Sequence, residues 1–249
     1  MIFIAPYRMA FPTARRIREV LPNSRIIKYR NSRFNWNRSR GTVLNWGRSD
    51  IPPTNRQVIN QPHAISVAAN KRRFLAGCEE NNIPAPRLLS EDQCISTLEE
   101  GKVLLIRTPS SFGGKGIKVV RGTEEFHGIP LNHMAVQFFP KETEFRAHVW
   151  GDEIIFLTQK RSKRGVERER DQKLVWSHSN GYVHCRQDVE CPDGLEELAI
   201  KSVKMCGLHF GAVDIMLNKD GVLRVLEVNT APGLTGQVLD KYLEVIREI

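Results

Sequence analysis

The chain has 249 residues, of which 37 are Lys or Arg and 28 are Asp or Glu, giving a formal net charge of +9 at pH 7. Its 41% hydrophobic and 26% charged residues exclude general disorder, and no apolar run approaches the roughly 18–20 residues that cross a bilayer. The 5 scattered cysteines and an N-terminus without the features of a secretory signal predict a soluble, reduced, cytoplasmic protein.

The positive charge is concentrated in the first quarter of the chain. Residues 1–62 hold 12 Lys and Arg residues but only Glu19 and Asp50, a net charge of +10, whereas residues 63–249 sum to −1. Such a basic segment attracts polyanions such as nucleic acid, nucleotides or acidic polypeptides; the alternative is a solvated surface without a partner. Its aromatic residues either stack on bases or pack in the core. The residues concerned are Arg30, Arg33, Arg38, Arg40, Arg48 and Arg56, with Phe34, Trp36 and Trp46.

The first quarter also predicts a small α/β unit. Short β-branched and aromatic runs predict strands at Ile2–Ala5, Arg25–Tyr29 and Thr42–Trp46. A helix is predicted at Thr13–Leu21, where a Pro-Asn pair ends it. The proline-rich stretch Ser49–Pro62 has little periodicity and predicts a linker.

The middle of the chain predicts helices followed by a run of strands. A helix is expected at Val67–Glu80 and a shorter one near Glu91–Glu100. The charge-dense stretch Arg161–Lys173 has almost no apolar content and predicts a mobile loop. Strands are expected at Val103–Arg107, Ile117–Arg121, Met134–Phe138, Glu144–Trp150 and Glu153–Gln159.

The last part of the chain predicts a helix, a β-hairpin and a closing helix. Apolar residues at helical spacing predict a helix at Asp193–Cys206. Strands at Gly211–Leu217 and Val222–Val228 are joined by a Lys-Asp-Gly turn, and the final helix begins near Thr235.

A glycine-rich segment, Ser110–Gly116, connects two predicted strands. Glycines let the backbone approach phosphate oxygens, and successive N–H groups form an anion-binding nest. The segment is not a Walker A loop, because Lys115 precedes a glycine, nor a dinucleotide fingerprint, which leads from a strand into a helix. It suits a flap that closes over nucleotide phosphates, with an ordinary glycine hairpin as the alternative.

The predicted C-terminal hairpin carries a candidate metal site. Glu227 and Asn229 lie two residues apart on one strand, so their side chains share a face, and Asp214 can lie opposite them on the partner strand. Two carboxylates and an amide oxygen are hard ligands suited to Mg²⁺, which typically bridges nucleotide phosphates. The alternative is an exposed polar face on an edge hairpin.

Cations at the ends of predicted strands form a third candidate group. Arg107 ends the strand before the glycine-rich segment, and Lys160 and Arg161 end another strand. With Lys71 they could neutralise phosphoryl groups, although each alone is more often a surface charge.

These motifs together resemble the ATP-grasp superfamily of carboxylate–amine or carboxylate–thiol ligases. The resemblance covers about Ala69–Ile249 and is greatest to the ribosomal-protein glutamate ligase and glutathione-synthetase-like branch. Its most specific part is GAVDIML…LRVLEVNTAPGLTG, which is similar to the metal-binding end of the family. The other similar segments are ANKRRFLAGCEENNIPAPR, VLLIRTPSSFGGKGIKVV and AVQFFPKETEFRAHVWGDEII.

The resemblance implies an α+β fold in which two ATP-grasp lobes, residues 63–136 and 137–249, clasp ATP. A small α/β pre-ATP-grasp domain, residues 1–62, precedes them. Arg107 stands where the family usually has lysine, and glutamate is commoner where Gln137 stands.

The resemblance also assigns roles to individual residues. Arg146 and Arg161 match positions that contact the acyl phosphate, and Glu144 matches a ribose-binding carboxylate. Asp214, Glu227 and Asn229 would bind Mg²⁺, with Mn²⁺ as the alternative. The residues that would bind adenine are Gln137, Phe138 and Phe139. Those that would bind the nucleotide phosphates are Lys71, Arg107, Ser111, Gly113, Gly114, Lys115 and Lys160.

The implied activity is an ATP- and Mg²⁺-dependent ligation of a carboxylate donor to an amine acceptor through an acyl phosphate. Two alternatives stay open: a nucleic-acid-binding module that only senses nucleotide, and a kinase on the same scaffold. The acceptor can be a small molecule, a peptide or a polymer, and the basic residues 1–62 favour a polyanionic or acidic partner. No membrane partner is expected, and the oligomeric state is left open.

Overall fold

The computed structural model describes residues 1–37, 40–110, 114 and 116–249. The sequence singled out Arg38, Ser111, Gly113 and Lys115, and these four residues lie outside the described residues. Three β-sheets follow one another along the chain, with helices packed against them. No helix in the described ranges is long and apolar enough to cross a membrane.

The first sheet contains the predicted strands of the first quarter. It consists of β1 (Ile2–Pro6), β2 (Ser24–Ile26), β3 (Thr42–Trp46) and β4 (Val58–Ile59), with helix α1 (Phe11–Val20) against it. All strand pairs are parallel, in the order β2-β1-β3-β4. The linker predicted at Ser49–Pro62 is wrong, because β4 pairs with β3 and Ile51, Val58 and Ile59 are buried. The two β-branched residues of β4, Val58 and Ile59, pair with β3 at the edge of the sheet. The prolines in the same stretch had favoured a linker instead.

The single helix predicted at Val67–Glu80 is divided in two. Helix α2 (Pro62–Ala69) ends before Asn70, whose backbone is extended, and α3 (Lys71–Glu80) begins after it. The Asn70 side chain accepts a hydrogen bond from the Arg73 N–H at 3.1 Å and so caps α3. The break makes Lys71 the first residue of a helix and fixes the position from which its side chain leaves the backbone.

The second sheet is antiparallel and holds the glycine-rich connection. Its strands are β5 (Leu88–Leu89), β6 (Leu104–Arg107), β7 (Lys118–Val120) and β8 (Met134–Gln137), and helix α4 (Glu91–Glu99) packs on it through Cys94 and Leu98. The strand order is β5-β8-β6-β7. The predicted strand–glycine–strand arrangement is confirmed by the antiparallel pairing of β6 with β7.

The third sheet has five antiparallel strands and supplies most polar side chains of the site. They are β9 (Thr143–Trp150), β10 (Glu153–Ser162), β11 (Tyr182–Cys185), β12 (Phe210–Leu217) and β13 (Leu223–Asn229), in the order β11-β10-β9-β12-β13. The helices of this part are α5 (Arg170–Leu174), α6 (Leu195–Met205) and α7 (Gln237–Ile246). The mobile loop predicted at Arg161–Lys173 is too long at both ends. Strand β10 continues to Ser162, and helix α5 begins at Arg170.

The first sheet is joined to the third by a shared core. Trp46 packs against Phe210 with ring centroids 4.8 Å apart and against Tyr242 at 5.5 Å, and the three side chains are fully buried. Buried Asn60 adds polar bonds across the same junction. Its Nδ2 donates to the Phe210 carbonyl at 2.9 Å, and its Oδ1 accepts from the N–H groups of His209 and Phe210 at 2.8 and 3.2 Å. The junction therefore depends on both apolar contacts and one amide side chain.

We predict that Asn60→Ala lowers the free energy of unfolding by about 3 kcal/mol, because three buried hydrogen bonds are lost at about 1 kcal/mol each. Chemical denaturation of the variant and wild type measures the difference. Asn55→Ala, at an exposed position of the same segment, is the matched control and should change stability by less than about 0.5 kcal/mol. A loss below about 1 kcal/mol for Asn60→Ala would show that the junction does not depend on these bonds.

Candidate functional site

A cavity of about 640 Å³ lies between the second and third sheets. Eleven of the residues singled out from the sequence line it: Arg107, Gly114, Gln137, Phe138, Phe139, Glu144, Arg146, Lys160, Asp214, Glu227 and Asn229. A second cavity of about 600 Å³, near Trp150 and His209, is lined by none of them within the described ranges. The chemistry of the predicted residues therefore belongs to the first cavity.

Sheet register brings three charged side chains into one row on the cavity face. Arg146 on β9 is opposite Asp214 on β12, which is opposite Glu227 on β13. Arg146 Nε and Nη2 donate to the two carboxylate oxygens of Asp214 at 2.6 and 2.7 Å. The β12–β13 register shifts next to this row, so Leu226 and Glu227 both reach the cavity.

Lys71 joins this row from outside the third sheet. Its Nζ lies 3.0 Å from Glu227 Oε2, and its side chain is 9% exposed. The break at Asn70 makes Lys71 the first residue of α3, and the ion pair with Glu227 places this helix start beside β13. Arg107, at the end of β6, is also buried, and burial lowers the pKa of its guanidinium while the Glu227 charge opposes that shift.

Glu144 is buried between two lysines, and only one of them was foreseen. Lys160 lies directly opposite it in the β9–β10 register, and Lys141 lies three residues before it; both ammonium groups bind its carboxylate. Lys160 Nζ also donates to the Trp176 carbonyl at 3.0 Å and lies 4.0 Å from Asp214 Oδ2. Burial lowers the pKa of Lys141, and the adjacent Glu144 charge opposes that shift.

The polar end of the cavity has more positive than negative charge. Burial raises the pKa of Asp214, but the charge and hydrogen bonds of Arg146 lower it by a larger amount. The net pKa lies well below the usual value, so the carboxyl stays ionised. Among the described residues, the three carboxylates Glu144, Asp214 and Glu227 share the cleft with six cations: Lys71, Arg107, Lys141, Arg146, Lys160 and Arg186. Such an excess of cations in a partly buried cleft fits a polyphosphate.

The donor set at Asp214 fits a divalent metal ion only in part. Asp214 and Glu227 face each other across the ladder, and Asn229 follows on the same strand. In the described ranges no group of three or more His, Cys, Asp and Glu side chains could hold a metal ion. Two carboxylates and one amide leave most positions of an oxygen-coordinated Mg²⁺ to other ligands, and phosphate oxygens can supply them.

The opposite end of the cavity is apolar and suits a flat ring. Leu105, Val136 and Met216 line it, and the β8 strand end runs along its edge. The N–H groups of Gln137 and Phe138 donate to the carbonyls of Arg87 and Val103 at 3.0 and 2.9 Å. The N–H of Phe139 has no such bond among the described residues.

Residues 174–178 form a wall of the cavity that sequence patterns missed. Trp176 stacks on Tyr182 with ring centroids 4.9 Å apart, and the Lys141 ammonium lies 5.1 Å from the Trp176 ring. Gly114 touches this wall at a φ of +74°, and an added Cβ would lie 2.5 Å from Val175 Cγ1. Only glycine fits there, because both the backbone conformation and the contact exclude a side chain.

Arg161 does not join the cluster. Because side chains alternate along a strand, Arg161 and Lys160 point to opposite faces of β10. The Arg161 guanidinium instead donates to Gln159 Oε1 at 2.9 Å and to the Asp188 carbonyl at 3.0 Å.

Arg186, just after β11, lines the cavity and was missed by sequence reasoning. Its Nη2 donates to the Thr235 carbonyl at 2.9 Å and to the Thr235 hydroxyl at 3.1 Å. No strand was predicted at Tyr182–Cys185, so Arg186 lacked the strand-end position that singled out Arg107 and Lys160. It extends the cationic lining beyond Asn229.

Comparison with known proteins agrees with this geometry. The RimK-like ATP-grasp domain family matches residues 106–249, more than half of the chain. The tetrahydromethanopterin:alpha-L-glutamate ligase of Methanocaldococcus jannaschii is 25% identical over 213 residues, which cover 76% of this chain and 69% of that protein. A probable alpha-L-glutamate ligase of Vibrio vulnificus strain YJ016 is 28% identical over 193 residues, and the match spans 72% of this chain and 61% of that protein.

Solved structures share the fold over the whole chain. The ATP-grasp ligase PsnB complexed with minimal precursor has a TM-score of 0.71 at 13% identity, covering 99% of this chain and 98% of that chain. D-alanine–D-alanine ligase from Bacillus anthracis has a TM-score of 0.65 at 14% identity, with coverage of 99% and 98%. The predicted α+β ATP-grasp fold is confirmed by these likenesses, together with the three-sheet architecture.

His148 lies on β9 two residues beyond Arg146 and is 3% exposed. Its Nδ1 lies 3.3 Å from the Tyr242 hydroxyl, in the core that joins the first and third sheets. Burial, with the neighbouring Arg146 charge, lowers its pKa to about 3. His148 is therefore neutral in the folded protein at pH 5, where the unfolded chain carries a proton on it.

We predict that His148→Gln flattens the pH dependence of stability. Because the folded pKa lies below the unfolded value of about 6.5, stability is lost as pH falls below 6.5, and His148 accounts for about 2 kcal/mol between pH 7 and pH 5. Urea denaturation of both proteins at the two pH values measures this difference. Equal losses of stability in wild type and variant would contradict the assignment of a neutral, buried imidazole.

Proposed function

Since the chain belongs to the RimK-like ATP-grasp family, we propose that it is an ATP-dependent carboxylate–amine ligase that works through an acyl phosphate. The observation that carries the proposal is the row of Arg146, Asp214 and Glu227 across three adjacent strands of the cavity. It puts paired carboxylates and cations at one end of a cleft whose other end is apolar. A nucleotide needs the apolar end for its base and the charged end for its phosphates.

ATP would lie with its base at the apolar end and its phosphates at the cationic end. The N–H of Phe139 and the apolar side chains near β8 suit adenine, and buried Glu144 is the carboxylate for the ribose. The phosphates would be neutralised by Lys71, Arg107 and Lys160, whose charges already meet in the cleft.

Mg²⁺ or Mn²⁺ would be held by Asp214, Glu227 and Asn229. When bound, the metal ion supplies positive charge beside the transferring phosphoryl group. In the structure Asp214 binds Arg146 and Glu227 binds Lys71. Each carboxylate must therefore share or exchange its cation as metal binds, and phosphate oxygens are the natural new partners for Arg146 and Lys71.

The reaction would proceed in two displacements. An oxygen of the donor carboxylate forms a bond to the γ-phosphorus, and the bond from that phosphorus to the bridging oxygen breaks, which releases ADP. The amine nitrogen then bonds to the acyl carbon, the bond from that carbon to the phosphate oxygen breaks, and the nitrogen loses a proton to solvent. Phosphoryl transfer asks mainly for positioning and charge neutralisation, which Arg146 and Lys160 supply.

Water must be kept from the acyl phosphate, and the wall at residues 174–178 serves that purpose. The close contact of Gly114 with Val175 joins the glycine-rich segment to this wall. The amine substrate would be an α-amino acid such as glutamate, in keeping with the names of the relatives. Arg186, beyond Asn229 and exposed, is the cation available for its carboxylate.

We predict that Glu227→Gln lowers ATP turnover more than about 100-fold, because the amide keeps the shape but removes one charge of the metal site. Coupled measurement of ADP release with saturating Mg²⁺ checks it. Glu153→Gln, at the exposed start of β10, is the control and should retain wild-type turnover. Near wild-type turnover by a folded Glu227→Gln protein would remove Glu227 from the metal site.

Hydroxylamine distinguishes the ligase from a kinase or a nucleotide sensor. Supplied in place of the amine, it should convert the acyl phosphate of the donor into a hydroxamate, with one ADP released per hydroxamate formed. Mass spectrometry with a panel of carboxylic acids and acidic peptides detects the product. ADP release without hydroxamate favours a kinase, and nucleotide binding without ADP release favours a sensor; either result contradicts the ligase.

A further inference from the structure

One imidazole of the cleft has no part in the chemistry described so far. His184 on β11 lines the cavity between the second and third sheets, and the residue is exposed there. It is directly opposite Lys160 in the β10–β11 register, so both side chains lie on the cavity face of the sheet. Side chains opposite each other on neighbouring strands have Cβ atoms about 5 Å apart. Sheet register therefore sets an imidazole at the cationic end of the cleft.

The hydrogen bonds around His184 favour one tautomer of its ring. Its Nδ1 lies 3.2 Å from the hydroxyl oxygen of buried Thr158, and that hydroxyl lies 3.4 Å from the Arg146 carbonyl. A hydroxyl has one proton and a carbonyl can only accept, so Thr158 donates to Arg146 and accepts from the Nδ1–H of His184. The neutral ring then has its lone pair on Nε2, which makes no hydrogen bond among the described residues.

The cations around His184 keep its ring neutral. Partial burial and the charges of Arg146 and Lys160 lower the pKa of His184 to about 4, and the Asp214 charge opposes that shift. Arg186, two residues further along the chain, also lines the cavity and adds another cation. At neutral pH His184 is therefore unprotonated, although it lies among charged groups.

Bound phosphate would make His184 a stronger base. In the proposed function, phosphate oxygens become partners of Arg146 and Lys160, and their negative charge offsets the two cations that hold the pKa of His184 down. The pKa then rises toward the ordinary histidine value of about 6.5. The ring gains basicity when the acyl phosphate is present, which is the stage at which the attacking amine must lose a proton.

Arg186 would bring the amine within reach of this ring. The proposed function gives Arg186 the carboxylate of the amino-acid substrate, and His184 lies two residues before it. Alternate residues of a strand are about 7 Å apart and share a face, and both of these side chains line the cavity. In an α-amino acid only one carbon separates the amino nitrogen from the carboxylate. An amine held by Arg186 therefore lies close to His184 and to the cations that would hold the acyl phosphate.

We propose that His184 is the catalytic base of the ligation step. As the amine nitrogen forms its bond to the acyl carbon, Nε2 of His184 takes a proton from that nitrogen. The bond from the acyl carbon to the phosphate oxygen breaks and releases inorganic phosphate, and the imidazolium passes its proton to solvent. The assignment rests on the proposed function, because the step needs the acyl phosphate.

Nitrogen-15 NMR of the histidine side chains tests the tautomer without substrate, nucleotide or metal. At neutral pH, His184 of the wild-type protein should carry a proton on Nδ1 and none on Nε2. Its signals are identified by their loss in His184→Gln. A proton on Nε2 would overturn the proposal, because that nitrogen could not accept another.

Two nucleophiles separate the base from the rest of the ligase. With glutamate, or the α-amino acid that wild type ligates fastest, His184→Ala should form the amide at least 100-fold more slowly than wild type. With hydroxylamine, whose less basic nitrogen is unprotonated at neutral pH, the variant should form hydroxamate within threefold of wild type. Added imidazole should restore part of the amide formation. His127→Ala, at an exposed position that does not line the cleft, is the matched control and should retain both rates.

The outcomes distinguish a wrong base from a wrong activity. Wild type that forms no hydroxamate contradicts the ligase, and the base assignment with it. Wild type that forms hydroxamate but ligates no α-amino acid leaves the acyl phosphate in place and removes the base. Full amide formation by His184→Ala, or equal losses with both nucleophiles in a variant whose thermal melting shows it to be folded, would likewise remove His184 as the base.

Discussion

Three carboxylates that line one cleft are the constraint on which the rest of this protein depends. Glu144 and Asp214 are buried and Glu227 is partly exposed, and an unpaired buried charge is strongly destabilising. Each is therefore bound by a cation from another part of the chain. In the ligase we propose, the same pairs would prepare the cleft for a metal ion and polyphosphate, because both new ligands offer partners of the required sign.

The fold supplies these partners through strand register and one helix start. Adjacent strands of the third sheet set Arg146 beside Asp214 and Lys160 beside Glu144, while the break at Asn70 aims Lys71 at Glu227. The first sheet is attached to this arrangement through Asn60 and the Trp46 core. The carboxyl end of β3 is thereby held next to the loop after Asn229.

Much of this could be predicted from the sequence, and the failures have physical causes. Asp214 and Glu227 could be placed on neighbouring strands because a short hairpin joins them, but the register shift that sets them directly opposite could not be predicted. The strand was predicted to end at Gln159; with β10 continued to Ser162, alternation turns Arg161 away from Lys160, and its contact with the acyl phosphate stays a prediction. The pairing of Arg146 with Asp214, 68 residues apart, depends on sheet order, which local patterns do not reveal.

We infer that metal and nucleotide bind this cleft together, because protein cations hold the carboxylates until phosphate oxygens replace the carboxylates as partners of those cations. Equilibrium dialysis of Mn²⁺ against the protein, with and without a non-hydrolysable ATP analogue, measures it most directly. We expect Mn²⁺ to be retained at least 100-fold more tightly with protein and analogue than with either alone. Equally tight retention of Mn²⁺ by the protein without the analogue would contradict the account.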